Sequence, residues 1–111
     1  MKLTDVEIPL DKLYEYCLNP EHPRGGYKAI LFEQTLGISR KNADVLYELL
    51  QKVVKETDAQ LVRSDKFGDY FRIDYELDGI RGKETLRSTW MIPKGSQRAR
   101  LISCFIKRRM R

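Results

Sequence analysis

The sequence predicts an α+β domain in which N-terminal helices pack on one face of a four-stranded antiparallel β-sheet. Two observations lead to this fold class: apolar residues recur at helical spacing in the first half of the chain, and they alternate with polar residues in the second half. A length of 111 residues suits a single domain, 1–111, that buries a core of its own. The helices are expected within about 11–56 and the sheet within about 59–107.

Three helices are expected in the first half of the chain. Pro20 ends the first helix, because proline disfavours helical geometry in the residue before it. Gly37 is well placed to end the second helix in the left-handed conformation, and Ser39 suits the N-cap of the third. The expected ranges are about 11–18, 26–36 and 40–56.

From Ala59 onward the spacing of apolar residues shortens from the helical period to the strand period of two. The connections Lys66–Asp69 and Asp78–Gly82 have hairpin length and contain glycine. The expected strands are Gln60–Asp65, Tyr70–Leu77, Glu84–Ile92 and Leu101–Lys107.

The alternation sorts the strand residues into two faces. The expected core face holds Phe71, Ile73, Tyr75, Leu77, Leu86, Trp90, Ile92, Ile102, Cys104 and Ile106. The expected open face holds Tyr70, Arg72, Asp74, Glu76, Thr85, Arg87, Thr89, Met91, Leu101, Ser103, Phe105 and Lys107. An antiparallel sheet often leaves one polar face to water, but arginine beside aromatic rings and hydroxyls also suits gripping phosphate and stacking bases.

The charge is distributed unevenly along the chain. Residues 1–56 carry 8 Lys/Arg against 9 Asp/Glu, whereas residues 57–111 carry 13 against 7, within a total net charge of +5. The basic half is expected to attract polyanions, with nucleic acid as the first candidate. Charge alone also fits a merely soluble basic protein.

Several classes of protein are not expected. No apolar run reaches the roughly 18 residues of a membrane-spanning helix, and the N-terminus lacks the apolar stretch of a secretory signal. Neither Cys17 nor Cys104 belongs to a Cys-x-x-Cys pair, so both are expected as buried thiols of a reducing compartment, with one disulfide left open. We therefore expect a cytoplasmic protein with no membrane partner.

Metal and cofactor chemistry are not expected either. One histidine and two separated cysteines are too few for a zinc site, and Asp74 with Glu76 is the only carboxylate pair expected on one face. The sequence lacks the glycine-rich motifs that bind nucleotide phosphates.

His22 is the only histidine, and it lies in a loop rich in proline and glycine just before the second helix. Histidine can exchange protons near neutral pH, although a lone histidine in a loop is often only a polar surface residue. The helix N-terminus favours anions, and Arg24 and Lys28 add positive charge at the same place.

By elimination, the chemistry that remains is metal-free phosphoryl transfer on RNA. The ribose 2′-OH attacks the adjacent phosphate and expels the 5′-oxygen, which requires a proton acceptor, a proton donor and cations for the developing charge. His22 is the candidate acid or base. The candidate phosphate ligands and hydrogen-bond partners are Lys28, Arg72, Arg87, Thr89 and Ser103.

Four segments carry a family resemblance: Leu18-Asn19-x-x-His22-Pro23-x-Gly25-x-x-Lys28-Ala29 with Phe32 and Leu36-Gly37-Ile38; Gly79-Ile80-x-Gly82-Lys83; Leu86-Arg87-Ser88-Thr89-Trp90-Met91-Ile92; and Arg100-Leu101-Ile102-Ser103. They resemble an uncharacterised bacterial domain family that occurs as small proteins and as C-terminal modules of polymorphic toxins. The resemblance covers about residues 9–107. That family in turn resembles the barnase–EndoU–colicin–RelE superfamily of metal-independent RNase toxins.

The resemblance implies N-terminal helices, a four-stranded antiparallel sheet and active residues on its open face. The implied catalytic residues are His22, Lys28, Arg87, Thr89 and Ser103, where Ser103 stands in place of the family's usual threonine and keeps a hydroxyl. The expected additional RNA contacts are Arg24, Tyr70, Arg72, Trp90, Arg100, Phe105 and Lys107. The implied function is an RNase toxin that cleaves an RNA such as tRNA or mRNA and pairs with a small acidic antitoxin or immunity protein.

Two alternatives stay open. A non-catalytic nucleic-acid-binding module would use the same face, together with the basic tail Lys107, Arg108, Arg109 and Arg111. An interaction protein, such as an immunity protein or an inactive toxin relative, would bind a protein partner and no nucleic acid.

Overall fold

A mixed β-sheet and three helical segments make up the α+β fold in the computed structural model, which describes residues 1–108. The helical segments are α1, in which α-helical Leu10–Lys12 continues as π-helical Leu13–Cys17, then α2 (Gly26–Leu36) and α3 (Ala43–Glu56), which follows a 3₁₀ turn at Arg40–Asn42. The strands are β1 (Val6–Glu7), β2 (Gln60–Asp65), β3 (Gly68–Gly79), β4 (Gly82–Pro93) and β5 (Ala99–Lys107). Their order across the sheet is β1-β5-β4-β3-β2.

The prediction of a four-stranded antiparallel sheet is wrong, because β1 adds a fifth, parallel strand at the edge. Val6 pairs with Ala99 and Glu7 with Arg100, and the Ala99 N–H donates to the Asp5 carbonyl oxygen at 2.9 Å. A strand of two residues is too short to show the period of two, and its partner lies more than ninety positions away. The other four strands are antiparallel neighbours.

Local sequence signals explain the helix ends. The predicted second helix is confirmed as α2, which Gly37 ends at φ 69° in the left-handed conformation. Ser39 and Asn42 form a capping box, in which each side chain accepts from the other residue's backbone N–H, and α3 follows. In α1 the Leu18 N–H donates to the Leu13 carbonyl oxygen at 2.8 Å, five residues back, so the helix closes on a wide turn.

The core lies between the helices and one face of the sheet. Its largest fully buried side chains are Trp90, Phe32, Leu13, Leu18, Leu46, Leu50, Ile73, Leu86 and Leu101. The prediction that Leu101 lies on the open face of the sheet is wrong, because Leu101 is fully buried. The register pairs Thr89 with Ser103 but Trp90 with Leu101, so β5 carries a bulge at Ile102. The extra residue reverses the alternation before it, so Leu101 faces the core and Ile102 is only half-buried.

None of the helices in the described part of the chain has both the length and the apolar character that crossing a bilayer requires.

Candidate functional site

The open face is the side of the sheet opposite the helices, and its polar residues form cross-strand rows. In one row, Asp74 of β3 lies opposite Arg87 of β4, and Arg87 lies opposite Phe105 of β5. In the next row, Thr89 lies opposite both Arg72 and Ser103. The pairing therefore gathers three of the predicted catalytic residues on adjacent strands: Arg87, Thr89 and Ser103.

Arg87 is held by a two-point ion pair with Asp74. Its Nε donates to Asp74 Oδ1 at 2.8 Å and its Nη2 donates to Oδ2 at 3.0 Å. The Arg87 side chain is 22% exposed and that of Asp74 35%. Arginine has five N–H donors, so three on Arg87 are not used by Asp74 and can meet a ligand.

The electrostatics of this pair follow from its surroundings. The hydrogen bonds from Arg87 lower the pKa of Asp74, and the charges of Arg87, Lys107 and Arg72 add to that effect. The hydrogen bonds to Asp74 in turn raise the pKa of Arg87. Three cations thus act on one carboxylate, so these four side chains carry a net positive charge.

A pair of hydroxyls lies beside the arginine. Thr89 Oγ1 and Ser103 Oγ are 2.9 Å apart across β4 and β5, and both residues are half-buried. Thr89 Oγ1 also lies 3.4 Å from the Ser103 carbonyl oxygen. Each hydroxyl can donate to a bound phosphate oxygen, since each rotates freely about its C–O bond.

Lys28 connects the helices to the open face. Its Nζ lies 4.3 Å from the centre of the Phe105 ring, a cation–π contact between α2 and β5. β1 pairs with β5 only at Ala99 and Arg100, and α2 also lies against β5. Phe105 is opposite Arg87, so the lysine joins the same row.

His22 has a structural role in its own loop. Its Nδ1 accepts hydrogen bonds from the backbone N–H groups of Arg24 and Gly25, both at 3.1 Å, and its ring meets the Tyr16 ring edge-on at 4.8 Å. A nitrogen that accepts two hydrogen bonds carries no proton, so the neutral ring has its proton on Nε2. In residues 1–108, His22 makes no hydrogen bond to Arg87, Thr89 or Ser103.

The loop depends on a close backbone approach at Gly26. A Cβ added there would lie 2.4 Å from the Pro20 carbonyl oxygen, closer than any real contact. The Gly26 N–H also donates to the His22 carbonyl oxygen at 2.9 Å. The glycine is therefore required by the path of the loop that carries His22.

The remaining predicted RNA contacts are placed unequally. Arg24 and Lys107 are exposed, and Arg100 is exposed with an ion pair to Glu7 at 3.7 Å. Tyr70 is half-buried beneath Arg63, whose guanidinium carbon lies 3.7 Å from the ring centre. Arg63 was not among the predicted contacts. A bulge in β2 between Leu61 and Arg63 brings Arg63 opposite Tyr70, and the alternation within one strand does not show such a bulge.

The burial of Trp90 corrects its assignment as an RNA contact. The ring is fully buried on the core face, and its Nε1 donates to Ser88 Oγ at 2.9 Å. A ring in this position is closed to a base and does not belong to the candidate site. Two tail residues of the alternative prediction, Arg109 and Arg111, lie outside the described residues.

The candidate metal ligands are the histidine, cysteine, aspartate and glutamate side chains. Among residues 1–108, no three histidine, cysteine, aspartate or glutamate side chains come close enough together to hold a metal ion.

The comparisons with known proteins place the chain in a family. The model of a domain of unknown function, DUF6883, matches residues 2–108, so the chain belongs to this family over nearly its whole length. No curated protein and no solved structure matches the chain.

Proposed function

We propose that this DUF6883 member is a small metal-independent ribonuclease, the toxin of a bacterial toxin–antitoxin or polymorphic toxin system, which acts in the cytoplasm. The observation that carries the proposal is the pair of rows Asp74–Arg87–Phe105 and Arg72–Thr89–Ser103 on the open face. They combine cations, hydroxyls and an aromatic ring, the groups that grip phosphate and stack bases.

Arg87 is the proposed main phosphate ligand. Asp74 holds the guanidinium in one orientation and leaves three donors for phosphate oxygens. A held donor loses less conformational entropy on binding than a mobile one, so this pair favours tight, oriented phosphate contacts. Arg72 and Lys107, whose charges act on the same carboxylate, extend the positive surface along the RNA backbone.

The proposed reaction is attack of the ribose 2′-OH on the neighbouring phosphorus, with loss of the 5′-oxygen; the 2′-OH gives up one proton and the 5′-oxygen gains one, so no proton is consumed overall. Arg87 and Lys28 stabilise the charge that develops on the phosphoryl oxygens. Thr89 and Ser103 orient the same oxygens by hydrogen bonds. The products are a 2′,3′-cyclic phosphate and a 5′-hydroxyl end.

His22 is the proposed proton-transfer residue, and its loop sets a condition on that role. In the resting loop, Nε2 carries the proton and can donate to a phosphate or leaving-group oxygen. To accept the 2′-OH proton at Nε2, the ring must carry its own proton on Nδ1, which displaces the N–H donors of Arg24 and Gly25. His22 can therefore act as the acid in the resting loop, and the loop must relax for it to act as the base.

The two hydrogen bonds that His22 Nδ1 accepts also favour a second function, a non-catalytic RNA-binding module. A histidine whose Nδ1 organises the loop has a structural role without any proton transfer, and the open face needs no proton transfer to bind RNA. In either case, we propose that a small acidic protein covers the open face, because its positive charge favours an acidic partner.

The deciding experiment incubates purified protein with total RNA and with tRNA in EDTA. We compare the wild type with Arg87→Ala, Thr89→Val and His22→Ala, and with Arg81→Ala as the matched control. Arg81 is an exposed arginine in the β3–β4 turn.

Metal-free cleavage that leaves cyclic phosphate ends and falls at least about 100-fold in Arg87→Ala supports the ribonuclease. Salt-dependent binding without cleavage, weakened in Arg87→Ala but not in Arg81→Ala, supports the binding module. Absence of both cleavage and binding by folded protein contradicts both functions.

A further inference from the structure

Two cysteines that lie 87 positions apart meet in the core. Cys17 ends the π-helical part of α1, and Cys104 lies on β5. The Cys104 thiol donates to Cys17 Sγ at 3.6 Å, and the residues are 3% and 2% exposed. A disulfide has its sulfurs about 2.05 Å apart, so the two atoms must approach by about 1.5 Å to bond.

The two thiols are chemically unequal. The hydrogen bond from Cys104 lowers the pKa of Cys17 against the effect of burial, and the charges of Lys12 and Lys28 act in the same direction. The pKa of Cys104 is raised well above its usual value by that same hydrogen bond and by burial. Cys17 is therefore the thiol that ionises more readily, and Cys104 is the neighbour that can react with it.

We propose that Cys17 and Cys104 form a peroxide-sensitive thiol pair that closes into an intramolecular disulfide between α1 and β5. The inference rests on the position of the two sulfur atoms and does not depend on the proposed ribonuclease. The oxidant it names is hydrogen peroxide, whose small size suits access to a buried thiol during local opening of the short helix α1.

The reaction balances in two steps. The Cys17 thiolate attacks the peroxide O–O bond and becomes a sulfenic acid, and the departing hydroxide takes a proton to form water. The Cys104 sulfur then attacks the Cys17 sulfur, the S–S bond forms, and the sulfenic hydroxyl leaves with the Cys104 proton as a second water. Overall, two thiols and one peroxide give one disulfide and two waters.

The disulfide would join β5, which carries part of the candidate site, to the end of α1 that precedes the His22 loop. The chain runs from Cys17 directly into the His22 loop, and Ser103 and Phe105 flank Cys104 on β5. Because the bond closes a long loop of chain, it strongly restricts the unfolded state. We expect the oxidised protein to melt roughly 10 °C or more above the reduced protein.

The experiment treats fully reduced, folded wild type with hydrogen peroxide in metal-free buffer, then alkylates it under denaturing conditions. We expect loss of both alkylation sites, a mass lower by two hydrogens, and a cross-linked peptide that contains Cys17 and Cys104. In Cys104→Ser, dimedone added with the peroxide should trap the sulfenic acid as an adduct at Cys17, in place of the disulfide. In Cys17→Ser, Cys104 should stay reduced for far longer.

Three results would overturn the proposal: both thiols of wild type still alkylated after treatment that fully oxidises free glutathione, a disulfide only between chains, or sulfinic acid without a disulfide. The wild-type measurement decides each of them, so it does not depend on whether either serine variant folds. Circular dichroism before alkylation shows that the oxidised chain is still folded.

Discussion

Polar side chains on the two faces of the sheet are used differently. On the core face, Trp90 and Ser88 are fully buried and bonded to each other, so neither has contact with solvent. On the open face, Arg87 and Asp74 are bonded to each other but keep 22% and 35% of their side-chain surface exposed. The buried pair contributes to stability alone, whereas the exposed pair is held in place and can still bind a ligand.

This difference separates stability from function on one strand. Trp90 and Arg87 both lie on β4, three positions apart, yet they face opposite sides. A variant on the core face should therefore change the free energy of unfolding, and a variant on the open face should change RNA binding or cleavage.

Replacement of Trp90 by Ala should cost about 3–5 kcal/mol in the free energy of unfolding, because it leaves a large cavity in the core. Trp90→Phe should cost less, since it keeps most of the ring volume and loses the hydrogen bond to Ser88. Urea denaturation followed by circular dichroism measures both. If Trp90→Ala unfolds at the wild-type urea concentration, the ring does not support the core as described.

Replacement of Arg87 by Ala should reduce RNA cleavage at least about 100-fold, or weaken binding if the protein does not cleave. Its effect on the unfolding free energy should stay below about 1 kcal/mol, because the ion pair with Asp74 is partly exposed. Parallel assays of activity and urea unfolding test this separation. Equal activity in Arg87→Ala and Arg81→Ala would remove Arg87 from the site.

Much of the fold follows from signals that lie within single elements. The end of α2 is readable because Gly37 is suited to a left-handed cap. The strand β1 and the bulge at Ile102 are not readable in this way, because a two-residue strand has no periodicity and a bulge depends on the partner strand. Because of the bulge, the prediction placed Leu101 on the open face, whereas it lies in the core.

The candidate site shows the same limit. Alternation alone puts Arg87 and Thr89 on one face of β4, whatever strand lies beside it. The bond from Arg87 to Asp74 requires the hairpin register, which can be counted from the β3–β4 turn. The contact of Lys28 with Phe105 requires the position of α2 against β5, and no pattern within either segment carries that information.

Loss of the Thr89 and Ser103 hydroxyls should have a smaller effect than loss of Arg87. Thr89→Val with Ser103→Ala removes two neutral hydrogen-bonding groups, so we expect roughly a tenfold decrease in RNA cleavage or affinity. Each single variant should lose more than half of the combined effect, because the two hydroxyls act as a pair. Independent, additive losses would indicate that they contact different parts of the RNA.

The smallest expected effect is the pH dependence of stability that Asp74 contributes. Its pKa in the folded protein is below the ordinary value of about 3.9, so the ionised form stabilises the fold above that pH. The contribution is lost as the pH falls from about 3.9 through the lower folded-state value. It should amount to less than about 1 kcal/mol, because the pair is partly exposed.

Urea unfolding between about pH 2 and pH 6 can detect this contribution as a difference between variants. Asp74→Asn should lose less stability on acidification than the wild type, because it has no carboxylate to protonate. Glu76→Gln is the matched control, since Glu76 lies on the same strand and forms no ion pair within residues 1–108. If Asp74→Asn and Glu76→Gln respond alike, the two-point bond to Arg87 adds nothing to stability, and its remaining role is to orient the guanidinium for a ligand.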